Sequence, residues 1–213
     1  MANITKWSNV AVAVQSALAA ADTVTGITKA NPGVATAVAH GFLNGDYVVL
    51  SISGMHQLDS RVVRVANKTN DTFELEGVDT TLFDTFSSGT AELITFGTTL
   101  ATATSISASG GDFDFIDVTT IHDNVKKQIP GLANSATFTF ENIWDVADAG
   151  LVALKSASDS QAKRAVRITF ANSQKLVFTG YIGASLIPTG SAQEVVKTSV
   201  VVTMFGKPSV YSA

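Results

Sequence analysis

Cysteine is absent from the 213-residue sequence. Disulfides, thiol nucleophiles and cysteine-held metals are therefore excluded. Charge is scarce: charged residues make up 15%, against 46% hydrophobic. A chain with that balance buries much of its surface, in its own core or against copies of itself. No run of about 18 apolar residues occurs, so no membrane-spanning helix is expected. A basic excess is also missing. The net charge is −4; residues 22–93 carry nine acids and four bases, and residues 94–213 carry nine of each. Neither part can neutralise a run of phosphates, so any encounter with DNA is without grip. Residues 1–21 do not read as a secretion signal, because Ser8, Asn9 and Gln15 interrupt the apolar run and Lys6 is its one charge.

Catalytic patterns are lacking as well. His40, His56 and His122 form no H-x-x-x-H pair and have no acid at helical spacing, so they read as turn or surface histidines rather than metal ligands. There is no G-x-S-x-G elbow. Ser109-Gly110-Gly111 has neither the lysine nor the helix start of a phosphate loop and reads as a turn. No catalytic, cofactor-binding or metal residue is assigned, and no enzyme is expected.

What the sequence does contain is alternation. Val166, Ile168 and Phe170 share one parity, with Arg167 and Thr169 on the other. That is the period of a half-buried strand. Asn172-Ser173 turns the chain back through Leu176, Phe178 and Ile182. A third run sets Val200, Val202 and Met204 against Val201, Thr203 and Phe205, and is expected to be covered on both sides. Thr137 to Glu141 alternates strictly. Val10, Val12 and Val14 favour a strand, read here as part of an extended amino-terminal arm, with Ser16–Ala21 open to helix. One helix is expected over 145–158, with Asp145 as its cap and Ala147, Leu151 and Leu154 as its apolar stripe.

Residues 22–93 are punctuated by turn signals at Asn31-Pro32-Gly33, Asn44-Gly45-Asp46, Ser53-Gly54, Asn70-Asp71 and Ser88-Gly89. They read as a self-contained β unit, with a hairpin over Arg61–Leu75 looping at Lys68–Asp71. Residues 112–132 form a long stretch of mixed charge without a sustained period, expected as a loop with a function.

Five pieces then occur in one order: Arg167-Ile168-Thr169-Phe170, Asn172, Val177-Phe178-Thr179-Gly180-Tyr181, Glu194-Val195-Val196 with Thr198, and Gly206-Lys207-Pro208-Ser209. Together they resemble the carboxy-terminal half of the tail tube proteins of lambda-type, non-contractile phage tails. Ile94–Leu100 resembles that family's opening strand. His40–Asp46, Gly54–Asp59 and Asn70–Asp79 resemble a small β module found in phage virion proteins and beside the catalytic cysteine region of ubiquitin-activating enzymes. The enzyme association does not carry over, since there is no cysteine.

The resemblance implies a mainly β fold: a tail-tube β-sandwich over 1–22 and 94–213 with one flanking α-helix, Ala147–Ala157, and an inserted all-β domain over 23–93 on the tube exterior. It implies hexameric rings stacked into a tube around a tape-measure protein, closed by tail terminator and tail tip proteins. DNA would pass through without specific binding. No cofactor and no membrane are involved, and the location is the virion, after assembly in the host cytoplasm. A second reading keeps the virion but makes the protein a tail accessory that binds a host glycan through Phe42, Tyr47, Phe83 and Phe86 on insert loops.

Three sets of residues are candidates for this function. Asp112, Asp114 and Asp117 either face the lumen or solvate a loop. Their spacing, continued by Asp123, fails the EF-hand pattern. Ile116, Val118, Ile121, Val125 and Ile129 are apolar within the long segment and need a partner, expected from a neighbouring subunit. Lys163, Arg164 and Arg167 are expected to solvate the helix end and, compatibly with that, to meet acids of a neighbouring subunit.

Overall fold

The computed structural model describes residues 7–212. In chain order its elements begin with β1 (Ala11–Val14), β2 (Ala17–Leu18), β3 (Asp22–Val24), β4 (Gly26–Ile27), β5 (Val34–Thr36), β6 (Tyr47–Ser53), β7 (Val62–Ala66), β8 (Thr72–Leu75) and β9 (Ser88–Thr95). They continue with β10 (Thr98–Leu100), β11 (Ala103–Ser109), β12 (Phe113–Asp117), β13 (Gln128–Ala133), β14 (Thr137–Ile143), α1 (Ala149–Asp159), β15 (Lys163–Thr169), β16 (Lys175–Gly183) and β17 (Lys197–Tyr211). The fold is mainly β, with one α-helix and several antiparallel sheets.

The first sheet runs β10-β1-β15-β16-β17-β14-β11. Its centre is the hairpin read from the sequence: Val166 faces Phe178 and Ile168 faces Leu176 across β15 and β16. The turn is closed by Ser173 at φ 64. Val166, Ile168, Phe178, Val200 and Val202 point to one side and meet Leu151 and Leu154 of α1 in a single core. A cleft of about 420 Å³ lies between β1 and β11 near the two ends of the sheet. One continuous sheet therefore curls around the core and supplies both of its walls.

Three local expectations are corrected. The segment at Ala11–Val14 is no arm, because β1 pairs with β10 on one side and β15 on the other. Residues 1–6 lie outside the described part. The following residues are extended: Ala17 and Leu18 pair with β9. The helix starts later than Asp145, which accepts from the Ala147 amide in the preceding turn. Asp148 is the N-cap and accepts from Leu151 N at 2.8 Å. Ala147 is consequently exposed, and the buried stripe is Gly150, Leu151, Leu154 and Ala157. Gly150 has a packing reason: a Cβ there would lie 2.6 Å from Leu100 Cα. The first helical turn can rest on β10 only without a side chain.

The second sheet runs β2-β9-β6-β7-β8-β5-β4, with β3 also on β9. Its own core contains Leu50, Met55, Leu58, Phe73 and Leu75. The motif residues pin its turns. His40 is buried, accepts from Phe42 N at 3.0 Å through Nδ1, and packs against the rings of Phe42 and Phe73. Asp46 accepts from Leu43 N, and Asp59 from Ile52 N.

The two sheets meet along a third apolar cluster, with Tyr47, Val62 and Ile94 against Ala165, Val177 and Tyr211. Hydrogen bonds reinforce this seam. Ser209 Oγ donates to Val62 O at 2.7 Å, Arg64 N to Tyr211 OH at 2.8 Å, and Thr179 Oγ1 to Ser60 O at 2.7 Å. Gly206, at φ +85, opens the bulge through which β17 changes register between Phe205 and Ser209. The bulge carries Ser209 and Tyr211 to the seam while Val210 stays exposed, so β17 buries one face at a time and is not covered on both sides as expected.

Candidate functional site: an assembly arm and an open sheet face

Residues 112–132 are not an irregular loop. They contain an antiparallel hairpin, β12 against β13, in which Ile116 pairs with Ile129 and Asp117 with Gln128. Both strands are exposed almost throughout. Ile121 is 96% exposed, Val125 73% and Leu132 87%. Ile116, Val118 and Ile129 are also exposed, as are Phe113 and Phe115. A bare two-stranded ribbon is marginally stable in water, and an apolar one gains most by being covered. The period was hidden because residues of both faces are apolar, which erases alternation.

The acids are distributed along the same arm. Asp114 accepts from Asn134 Nδ2 at 3.1 Å. Asp117 accepts from the Thr119 hydroxyl and amide and has Lys126 at 3.4 Å. The Thr119 hydrogen bonds hold its carboxyl below the usual range, with Lys126 a smaller influence. Asp123 is held low first by Lys127, then by Thr120. Asp112 stands where β11 passes into the arm through Gly110 and Gly111, both at positive φ.

The basic cluster lies along the seam between the two sheets. Lys163 Nζ donates to Ser60 Oγ at 3.1 Å and lies 4.4 Å from the centre of the Phe205 ring. Arg167 stacks over Phe96 at 4.6 Å. Arg164 lines a cleft with Gln15, Leu18, Glu92 and Lys163. These contacts were invisible in the sequence because Ser60 and Phe96 are distant along the chain.

A further surface lies on the outer side of the first sheet. On β14, Phe138 and Phe140 face the core, so Thr137, Thr139 and Glu141 face away. Pairing carries that outer face across three strands. Its rows are Ser105–Glu141–Ser199, Ser107–Thr139–Val201 and Ser109–Thr137–Thr203. None of these nine residues is buried. The serine alternation at 105, 107 and 109 is a legible signal, but the rows exist only through strand pairing.

The aromatics proposed for glycan binding are placed otherwise. Phe42 and Tyr47 are buried, and Phe83 and Phe86 pack partly against the core of the second sheet. Phe42 holds the turn around His40, and Tyr47 fills the seam, so apolar burial has claimed both rings. Among the described residues, no group of three or more His, Asp or Glu is placed to hold a metal ion. Among them also, no helix is long and apolar enough to cross a membrane.

An antiparallel β protein with a bare apolar arm and an open sheet edge has the surfaces of an association protein. Residues 53–213 match the family model of the phage tail tube protein, TTP. The chain belongs to that family, a structural one of the virion tail. The match includes β7, β8 and β9 of the second sheet as well as the arm and the strands that carry the five motif pieces. A search of curated proteins returns no match.

Proposed function

We propose that the protein assembles into hexameric rings that stack into the tube of a non-contractile tail, the conduit through which DNA enters the host. The hairpin Phe113–Ala133 is the observation that carries this reading: its apolar residues stand in solvent in the single subunit. Ile116, Val118, Ile121, Val125 and Ile129 then pack on a neighbouring subunit, in the same ring or the next. The outer edges of β10 and β11, the ends of the first sheet, offer unpaired backbone groups that a closed ring would use.

Asp112, Asp114 and Asp117 are the proposed lumen acids, and Arg164, with Lys163 and Arg167 beside it, the proposed contact for a neighbour's acids. Residues 23–93 form the inserted module of the virion type, carried on the exterior. The tape-measure protein fills the tube during assembly, and terminator and tip proteins close its ends. Assembly takes place in the host cytoplasm. Negative-stain microscopy of purified protein tests the reading: rings or tubes of uniform bore are expected, and discrete trimers or persistent monomers at high concentration would overturn it.

A further inference from the structure

We propose that the cleft between the two sheets is a carboxylate seat, built on Gln15 and Arg164, and that Glu194 of a second copy in the same ring fills it. This rests on the ring reading above and names the contact.

The cleft has a volume of about 280 Å³ and is lined by Gln15, Leu18, Ser60, Glu92, Lys163 and Arg164, among others. Its donors lack an acceptor. Gln15 is 6% exposed, and its Oε1 accepts from Ala165 N at 2.9 Å. That bond fixes the amide and leaves Nε2 for the cleft, with no hydrogen-bond partner among the described residues. Buried amide groups are seldom left so. Arg164 is half-buried, and its guanidinium is in no ion pair among the described residues. Lys163 Nζ donates to Ser60 Oγ rather than to an acid. Glu92, from the second sheet, pairs with neither base, so two cations face one acid. A guanidinium beside an amide donor suits a carboxylate with its two oxygens.

The chain carries a segment of matching chemistry. Glu194 is exposed and in no ion pair among the described residues. Val195 and Val196 beside it are 58% and 45% exposed. An acid followed by two bare valines fits donors rimmed by Leu18, itself 41% exposed.

Placement favours a second copy. The cleft lies on the β1–β15 side of the first sheet, at the start of β15. Val196 O accepts from Trp144 N, which fixes the acidic segment on the β17–β14 side, at the start of β17. β15 and β17 both pair antiparallel with β16, so the two starts lie at the same end of the sheet. Within one subunit β16 stands between them. Two unlike patches on opposite sides at one level make a heterologous contact, and its repetition closes a ring.

The natural absence of cysteine allows a direct test. Subunits carrying Leu18→Cys with Val195→Cys, assembled and treated with a short bis-maleimide, should give a ladder of cross-linked oligomers. Leu18→Cys alone should not. Assembled tubes without the ladder overturn the contact.

Gln15→Glu keeps the acceptor for Ala165 N and replaces the free amide with a carboxylate oxygen. Its melting temperature should stay close to that of the unmodified protein, while the concentration needed for tubes should rise about tenfold. Lower melting with unchanged assembly would make Gln15 merely structural and overturn the seat. Arg164→Glu and Glu194→Arg should each impair assembly, and together should recover most of the loss. No recovery overturns the choice of Glu194. Acetate titrated into free subunits at constant ionic strength should shift the Gln15 side-chain amide signals saturably. Saturable acetate binding without the cross-link would make a free carboxylate the occupant and overturn the second copy. If the unmodified protein forms no tubes, the conduit reading fails on its own, and cross-linking of concentrated free subunits still decides this contact.

Discussion

Ser209 donates its hydroxyl to the carbonyl of Val62 at 2.7 Å, joining residues 147 positions apart in a buried contact. Arg61 in turn donates from Nε to Ser209 Oγ at 3.2 Å. The closing motif of the tail tube domain is thus a fastener for the second sheet. Ser209→Ala removes an acceptor and a donor at once and should cost about 1–3 kcal/mol. Urea unfolding should show a lower midpoint; an unchanged midpoint would mean that the apolar cluster alone holds the seam.

Gly150→Ala separates helix propensity from packing. Propensity alone favours the alanine by about 1 kcal/mol. The new methyl would lie 2.6 Å from Leu100 Cα and 2.8 Å from Thr99 O, both of them backbone. Net destabilisation of about 1–3 kcal/mol is expected. A rise in melting temperature would show that α1 can lift from β10 at little cost.

The arm should control assembly without contributing to subunit stability. Ile121→Ser with Val125→Ser changes two exposed residues, so the unfolding free energy should stay within about 0.5 kcal/mol. Tubes should nevertheless fail to form. Amides of residues 112–129 should exchange rapidly with solvent deuterium in free subunits and slowly in tubes. Equal protection in both states would place the control of polymerisation elsewhere.

Acid should loosen the arm before the body. The carboxyls of Asp117 and Asp123 titrate below the ordinary value of 3.8, through Thr119 and Lys127 respectively. Groups with a lowered folded pKa contribute order above the unfolded value and lose that contribution as pH falls through the folded one. Between neutral pH and about pH 5 the arm should be unchanged. Below the ordinary carboxylate value, NMR signals of Thr119, Thr120, Lys126 and Lys127 should broaden or shift while those of Leu50, Phe73 and Phe178 persist. Simultaneous loss of all signals would show that the arm is not an independent unit.

By itself the sequence determined whatever depends on neighbours along the chain. The 166–182 hairpin was legible because alternating Val, Ile and Phe flank an Asn-Ser turn. The Lys68–Asp71 turn and the mainly β character followed from the same local rules. The helix was legible too, but its start was not. Asp145 and Asp148 are both capable caps, and the choice fell to Asp148, whose other oxygen also accepts from Ala101 N on the strand side. Tertiary structure alone decided the rest. The long segment hid a hairpin because apolar residues on both faces leave no period, and only pairing of Ile116 with Ile129 reveals it. The bases at 163 and 167 lie along a seam whose partners, Ser60 and Phe96, are distant in the chain. The hydroxyl face comes from three strands that lie side by side in the sheet although the arm, the helix and the β15–β16 hairpin separate them in the chain. Alternation says only that every second residue shares a face. Which face stays open depends on what packs against the other, and here the core and the second sheet leave Ser107, Thr139 and Thr203 to solvent.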